Sequence, residues 1–506
     1  MTIYLIILFG VIWYVINGFW NLLKSFLFLK KGSNKFYNDK LKVEALNNLK
    51  KKIIILMPVL REQEIIVKNL ELFTKLKGDY ELVYITTQKE DDEKLKKINK
   101  LILLKKQILN SQNVTSFVEN LVGLIPYSIA ENLYQKKKEF KDDEKYWEYI
   151  VEAYKDLPST LKIIDSYLKK NRNYCQNVHR IHYPYKNGVM AHQLNYACEK
   201  LLKTHNPEET YILVYNADSS VEKNILNIFA QKINDGEIVI IQSSLFLDNY
   251  NSFPSSFRGG ILKNIALAQS RWTLVHEINR IRAQYEQGVK SIYESAHVVG
   301  HGTCIRMDKL MSVGGFPEKF INEDLPLGYF LALSGERICL VVELENAQSP
   351  TTIKSVITQY TTWFYGAMDY FLYYKYASNK LKLPKFKALF WAIVNSIRAV
   401  MWLLSPWVWI GLLVFPLYRG IPVVAFAVFC LFLFHTAFSH WLIASFVKKN
   451  PQVLGKEIFH IEYNIKTAFA VPVSYIIWGI GPLRSFIQVM TARILGREIY
   501  KRKTER

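Results

Sequence analysis

The chain alternates between long charge-free runs at its two ends and a mixed polar and apolar middle. Thr2 to Leu23 carries no charged residue, and about 20 consecutive apolar residues suffice to cross a bilayer. No basic residue precedes this run and no small-x-small cleavage site follows it, which separates it from a secretory signal. Ala399 to Tyr418 and Gly420 to Val447 are two further runs of the same kind. Thr467 to Leu483 is shorter and is broken by Pro472 and Pro482. The pattern predicts an N-terminal transmembrane helix within residues 1–30 and a C-terminal transmembrane region over 385–490.

The middle reads as α/β. "KKIIILMPVL" is a short β-branched run ending near Pro58, suited to a strand buried on both faces. A helical pattern follows in "EIIVKNLELFTKL", and "YELVYITT" supplies a second strand. Strand, helix, strand in that order predicts a mostly parallel, Rossmann-like sheet. Residues 91–175 are Lys/Glu-rich with helical periodicity and read as a helical insertion, with Asp156 as a candidate cap and Pro158 in the first turn of its last helix. The sheet resumes in "YILVYNADSS" and "GEIVIIQSS".

Charge adds orientation. The 506 residues carry a formal net charge of +21. That charge either solvates surface helices or lies against anionic lipid headgroups, where each basic residue contributes on the order of 1 kcal/mol. No nucleic-acid recognition motif accompanies it, so no nucleic-acid partner is expected. Lys24, Lys30, Lys31 and Lys35 follow the first run, and Lys448 and Lys449 follow the third. By the positive-inside rule these ends, and the polar middle with them, face the cytoplasm. The basic tail 491–506 favours the same side. Counting spans then requires either that 467–487 be re-entrant, the favoured reading, or that Phe386 to Tyr418 cross twice. Five cysteines without a CxxC pair fit a reducing compartment and no zinc site.

Candidate chemistry clusters in four stretches. In "YILVYNADSS" an apolar strand ends at Asn216, Ala217 and Asp218. Ligands bind outside the carboxyl ends of strands in open α/β sheets, and an acid there is placed to hold Mg2+ or Mn2+, although a turn or helix cap would use the same residue. In "YPYKNGVMAHQLNYACEK" the Lys186 to Gly188 turn places a lysine where it could meet a phosphate, as many exposed lysines do not. In "VVGHGTCIRMDKLMSVGGFPEKFINEDLPLGYFL", Gly300 and Gly302 around His301 suggest close backbone approach to a ligand. Glu323 and Asp324 stand where a buried helix begins, a position the helix dipole favours for acids in any case. In "QYTTWFYGAMDY", Trp363 follows Gln359 by four residues, shortly before the membrane region.

Taken together, the order strand-Pro, NAD, GHG, GGF, ED, Q-x-x-x-W and then membrane spans resembles the membrane-embedded family 2 glycosyltransferases, the branch related to polysaccharide synthases. The resemblance covers roughly Ile53 to Gly366 apart from the insertion. It implies a GT-A fold over 45–375 and inverting transfer of a sugar from a nucleotide-sugar donor. Pro58 and Glu62 match the loop under the nucleotide, with Arg61 where Asn is usual. Asp218 matches the final acid of the metal-binding D-x-D, and Asn216 stands in place of its first. Asp324 matches the catalytic base and Glu323 its neighbour. Gln359 and Trp363 match Q-x-x-R-W, whose Trp packs near the acceptor, and Thr362 replaces the Arg. His301 and Gly302 join them as acceptor-side candidates, and Lys186 joins the donor side. "YITTQKE" replaces the acidic segment that usually holds the base, leaving Thr86, Thr87 or Glu90 for that role, of which Thr87 is the candidate.

The function so implied is sugar transfer at a membrane, with Asp324 deprotonating the acceptor hydroxyl and a divalent cation restraining the departing diphosphate. The expected partners are a nucleotide-sugar donor, a lipid-linked or cell-surface glycan acceptor and membrane lipids. The alternative is a processive synthase that polymerises and extrudes its product. A nucleotide-binding pseudoenzyme is a third reading, motivated by Asn216 and Thr362.

Overall fold

A computed structural model describes residues 1–38, 49–121, 123–288 and 295–496. The basic tail beyond Gly496 lies outside the described residues. The centre is a seven-stranded sheet of order β3-β2-β1-β4-β7-β5-β8. Its strands are β1 (Lys52–Pro58), β2 (Glu81–Thr87), β3 (Val178–Tyr183), β4 (Thr210–Val214), β5 (Val239–Ile241), β7 (Thr303–Arg306) and β8 (Ile338–Leu340). Every pairing is parallel except those of β7, which runs antiparallel to β4 and β5. A separate pair, β6 (Ser244–Leu245) with β9 (Glu345–Asn346), aligns Ser244 with Glu345.

The strands are buried on both sides, so alternate residues feed two cores. Ile54, Leu56, Val83, Ile85, Ile212 and Val214 face one core, shared with the helices Met190–Leu201 and Phe257–Trp272 and with Leu22 and Leu29 of the N-terminal helix. Ile53, Ile55, Met57, Leu82, Tyr84 and Leu213 face the other, against the helices Ile66–Phe73 and Ile225–Asn234. Between β2 and β3 a string of helices from Gln88 to Lys170 builds a third core around Phe117, Tyr146 and Ile150. Its last helix, Thr160–Lys170, is capped by the Ser159 hydroxyl, which accepts from Lys162 N. Asp156, the predicted cap, instead ends the preceding helix.

Among the described residues, three helices are long and apolar enough to cross a membrane: Thr2–Ser33, Lys385–Tyr418 and Pro422–Lys449. Lys385–Tyr418 is one continuous helix despite Pro406 and Pro416, which leaves no room for two crossings within it. Around the predicted re-entrant segment the chain forms a continuous helix, Val471–Ile494, with Pro482 inside it. It packs along the helices Ile353–Met368 and Lys385–Tyr418. The proline is absorbed because neighbouring helices cover the turn it disturbs.

A candidate active site

The strand order reverses direction of growth between β1 and β4, the switch point at which open α/β sheets take ligands. The carboxyl end of β1 delivers Pro58, Arg61 and Glu62, and that of β4 delivers Asn216 and Asp218. Because β7 is antiparallel, its leading residues Gly300 and His301 arrive at this same edge, with Thr303 opposite Val214. Pro58, Arg61, Glu62, Asn216, Asp218, Gly300 and His301 line one cavity of about 1390 Å3.

Glu323 and Asp324 share its wall. The helix Asp324–Leu333 is buried beyond Leu325, and the two carboxylates stand at its start, Glu323 buried and Asp324 partly so. Asn322 Nδ2 donates to the carbonyls of Thr362 (3.2 Å) and Trp363 (3.3 Å), which fastens that start to the helix Ile353–Met368. A methyl group on Gly300 would stand 3.5 Å from Asp324 Oδ2 and 3.9 Å from Glu323 Oε1, so both carboxylates lie against the Gly300–His301 turn. Gln359 and Trp363 reach the cavity from the helix Ile353–Met368. Gln269 Nε2 donates to Gln359 Oε1 at 2.6 Å. The Trp363 ring packs edge-on against Tyr360.

His301 carries the clearest electrostatic signature. Its Nδ1 lies 2.6 Å from Oε2 of Glu345, a carboxylate 1% exposed that also accepts from Ser244 Oγ at 3.2 Å. Burial alone would lower the imidazole pKa, but Glu345, with Asp218 and Glu277 farther off, raises it to about 9. The residue beside Asp218 is therefore an imidazolium at neutral pH.

Residues 211–443 match the family model for glycosyl transferase family group 2. Over this stretch the chain is similar to the family 2 glycosyltransferases. The matched stretch holds Asp218, His301, Glu323, Asp324, Gln359 and Trp363, as well as the second span and most of the third. No curated protein matches the chain. Among solved structures, a mannosyltransferase from Pyrobaculum calidifontis in complex with GDP-Man and Mn2+ aligns over 94% of this chain and 98% of its own, at 10% identity and a TM-score of 0.41. A likeness this distant carries no argument about the site.

Of the site residues the sequence singles out, three stand off the cavity wall. Thr87 caps the helix Gln88–Leu103, accepting from Lys89 N at 3.2 Å. Lys186 pairs with Asp92 at 3.2 Å and points largely to solvent. Gly302 serves the sheet: its φ is +67°, and a methyl group there would sit 2.5 Å from the Gln242 carbonyl oxygen. Glu90 is also committed, since its carboxylate accepts from Arg61 N (3.0 Å), Gln63 Nε2 (3.0 Å), Thr160 N (2.7 Å) and Thr160 Oγ1 (3.0 Å). It holds the loop after β1, in which Arg61 adopts a left-handed φ of 56°.

Other wall residues escape the sequence reading. Glu345 and Ser244 belong to the short β6–β9 pair, and the acid inside the apolar run "VVELEN" is the one signal that could have marked Glu345. Lys89, Lys96, Lys97 and Lys100 come from the helix after β2, at spacings that fall on one helical face. Arg271, Arg280 and Arg398 line the deep end of the cavity, towards the membrane helices.

Proposed function

We propose that this protein is a glycosyltransferase that moves a sugar from a nucleotide-sugar donor, with inversion, to a lipid-linked or glycan acceptor at the membrane, its sheet domain on the cytoplasmic side. One observation carries the reading: Asp218, the His301 imidazolium and Asp324 open on a single cavity at the carboxyl edge of the sheet. In this mechanism Asp324 takes the proton from the acceptor hydroxyl as the oxygen attacks the anomeric carbon. The carbon–oxygen bond to the nucleoside diphosphate breaks on the opposite face. A base so placed contributes roughly 10²–10⁴-fold. Glu323 positions the acceptor, and the Trp363 ring offers a flat face to a sugar.

The donor set fits a hard divalent cation. Asp218 and Asn216 offer oxygen ligands at the end of β4, and no group of three or more His, Cys, Asp and Glu side chains gathers among the described residues. Mg2+ and Mn2+ commonly take one or two protein oxygens and complete their shell with phosphates and water. Such an ion would neutralise charge on the leaving diphosphate. The His301 imidazolium supplies a second positive charge on the same wall. The basic residues that follow the first and third spans support the cytoplasmic orientation.

A processive synthase is the second reading, favoured by one observation: the cavity continues among the membrane helices, past Trp402, Trp409 and Trp478. The deciding experiment is a panel of nucleotide sugars on the purified protein in detergent, read as nucleoside diphosphate release. The proposal expects release with at least one donor, lost in Asp324→Asn. Binding without release in the wild type would overturn it. Product length on the active donor separates single transfer from polymerisation.

A further inference from the structure

A cluster of tyrosines stands beside the cavity wall and takes no part in the chemistry above. β3 is the edge strand of the sheet and runs parallel to β2 and β1, so its carboxyl end lies at the edge that carries the candidate active site. Tyr183 ends the strand, Tyr185 follows in the turn, and Tyr196 comes from the helix Met190–Leu201. The ring centroids are 5.2 Å apart for Tyr183 and Tyr185, 5.6 Å for Tyr183 and Tyr196, and 6.5 Å for Tyr185 and Tyr196, each pair edge to face. Tyr183 is 6% exposed and Tyr185 is 60% exposed. Lys200 Nζ stands 5.3 Å over the Tyr196 ring. The other two rings thus hold Tyr185 out to solvent.

Polar groups frame these rings and are themselves fixed. Val189 N donates to His192 Nδ1 at 3.3 Å, which leaves the ring proton on Nε2, 3.7 Å from Glu318 Oε2. Asn195 Nδ2 donates to Glu318 Oε1 at 2.8 Å. Burial raises the pKa of the Tyr183 phenol and Glu318 raises it further, which sets that carboxylate beside the rings. The turn is tied down at two points: Lys186 pairs with Asp92 at 3.2 Å, and Lys89 Nζ donates to the Gly188 carbonyl at 3.2 Å. The cluster is also continuous with the site already described. Gly188, Val189, Met190 and Gln193, from the same turn and helix, line the cavity. Asn195 exchanges two hydrogen bonds of 2.8 Å with the backbone of Phe316. From Glu318 the chain reaches Asp324 in six residues, at most about 20 Å.

A flat ring at the surface, flanked by a carboxylate and an imidazole, suits one ligand chemistry. A sugar packs its C–H face on the ring and meets the polar groups with its hydroxyls. Ligand sites commonly join aromatic rings to a few placed polar groups in this way. The Glu318 carboxylate beside the rings favours a neutral sugar over an acidic one. The outward apolar area is a single ring, far short of the roughly 800 Å2 that a stable protein partner buries on each side. We propose that Tyr185, with Tyr196, His192 and Glu318 around it, forms a distal subsite for a neutral oligosaccharide, holding a part of the acceptor several sugars away from the hydroxyl that reacts at Asp324. This rests on the glycosyl-transfer reading above and deepens it, by naming the acceptor as a glycan of several sugars.

The test is binding of fluorescently labelled maltohexaose, cellohexaose, chitohexaose and mannohexaose to the full-length protein, read by fluorescence polarisation in a detergent without a sugar headgroup. At least one hexaose is expected to bind. Tyr185→Ala should weaken it by about tenfold or more, the worth of a tyrosine at the centre of a contact. Tyr185→Leu, which keeps apolar bulk without a flat ring, should do the same, and Tyr185→Phe should keep most of the affinity. Tyr185 is largely exposed, so all three variants should melt as the wild type does. No binding by any of the four hexaoses, or full affinity in Tyr185→Ala and Tyr185→Leu, overturns the subsite. Loss of binding in Trp363→Ala with full binding in Tyr185→Leu places the glycan in the cavity and overturns it equally. The assay needs no donor, and Asp324→Asn should bind the same hexaose, so failure of the transfer chemistry and failure of the subsite give different results.

Discussion

His301 and Glu345 form a buried ion pair, Nδ1 to Oε2 at 2.6 Å, on the wall that also carries Asp218. The pair arises because β7 and the β6–β9 ribbon meet at the edge of the sheet. Its expected consequence is a pH limb. The folded pKa of His301 is raised to about 9, above the ordinary value of 6.5. Its stabilising effect is therefore full below about pH 6.5 and is lost as pH rises through about 9. Activity that uses the imidazolium should fall over the same upper range. Glu345→Gln removes the raising charge and leaves burial, which lowers the pKa. The alkaline limb should then move down by more than about one pH unit, and the melting temperature should drop at pH 7 but converge with wild type above pH 9. A pH–rate profile whose limb stays in place in Glu345→Gln would refute the role.

Asp324 and Glu323 should separate cleanly. Asp324→Asn keeps the shape of the helix start and is expected to lower kcat by about 10²–10⁴-fold, with the donor KM nearly unchanged. Glu323 makes no capping hydrogen bond to the helix and is 6% exposed. Glu323→Gln should act mainly on the acceptor KM. Steady-state kinetics with both substrates varied checks the pair, and equal kcat losses would show that the proton is shared between them.

These residues differ in how far the sequence exposes them. β1, β2 and β4 are apolar β-branched runs, and each stands out because a parallel strand is buried on both faces. β3, "VHRIHY", passes unnoticed because it is an edge strand whose His179 and Arg180 face solvent. Asp218 and Asp324 are legible because each follows a recognisable element, a strand end or a helix start. Gly302 misleads: its positive φ and its closeness to Gln242 come from sheet packing, and a glycine needed for packing reads like one needed for a ligand. Glu345 and the three arginines depend on contacts between segments far apart in the chain, which no local pattern encodes. The deep cavity has the same origin, since residues from the helices 257–287 and 422–449 share its wall with the edge of the sheet.

Asp218 should govern a metal requirement. With one carboxylate and the Asn216 amide at the end of β4, the site supplies a single formal negative charge from these two side chains. Chelation by EDTA should abolish nucleoside diphosphate release, and Mn2+ or Mg2+ should restore it. Asn216→Asp adds a charge and should lower the metal concentration for half-maximal activity, whereas Asp218→Asn should raise it by about tenfold or more. Activity indifferent to EDTA and to both substitutions would leave His301 as the charge that meets the diphosphate.

Glu90 should act on the donor loop without touching substrate. The carboxylate is 6% exposed and ties Arg61, Gln63 and Thr160 together, so it joins the loop after β1 to the last helix of the insertion. Glu62 N, next along the loop, donates to Thr160 Oγ1 at 2.9 Å, which makes the tie two-sided. Removing the carboxylate releases the left-handed Arg61 backbone from its acceptor and leaves the Thr160 N–H buried without one. Each hydrogen bond to a charged group is worth about 1.5–3 kcal/mol, so Glu90→Ala should lower folding stability by at least that amount. Its kinetic mark should be a raised donor KM with kcat retained, because the Pro58–Glu62 wall loosens while Asp324 stays where it is. Glu90→Gln should recover part of the stability by accepting from Thr160, and its donor KM should fall between the two. Calorimetric melting with donor-dependent kinetics on the same samples tests both effects. A Glu90→Ala protein that melts as wild type does would show that the tie contributes nothing, and one that loses kcat at unchanged donor KM would place Glu90 in the chemistry itself.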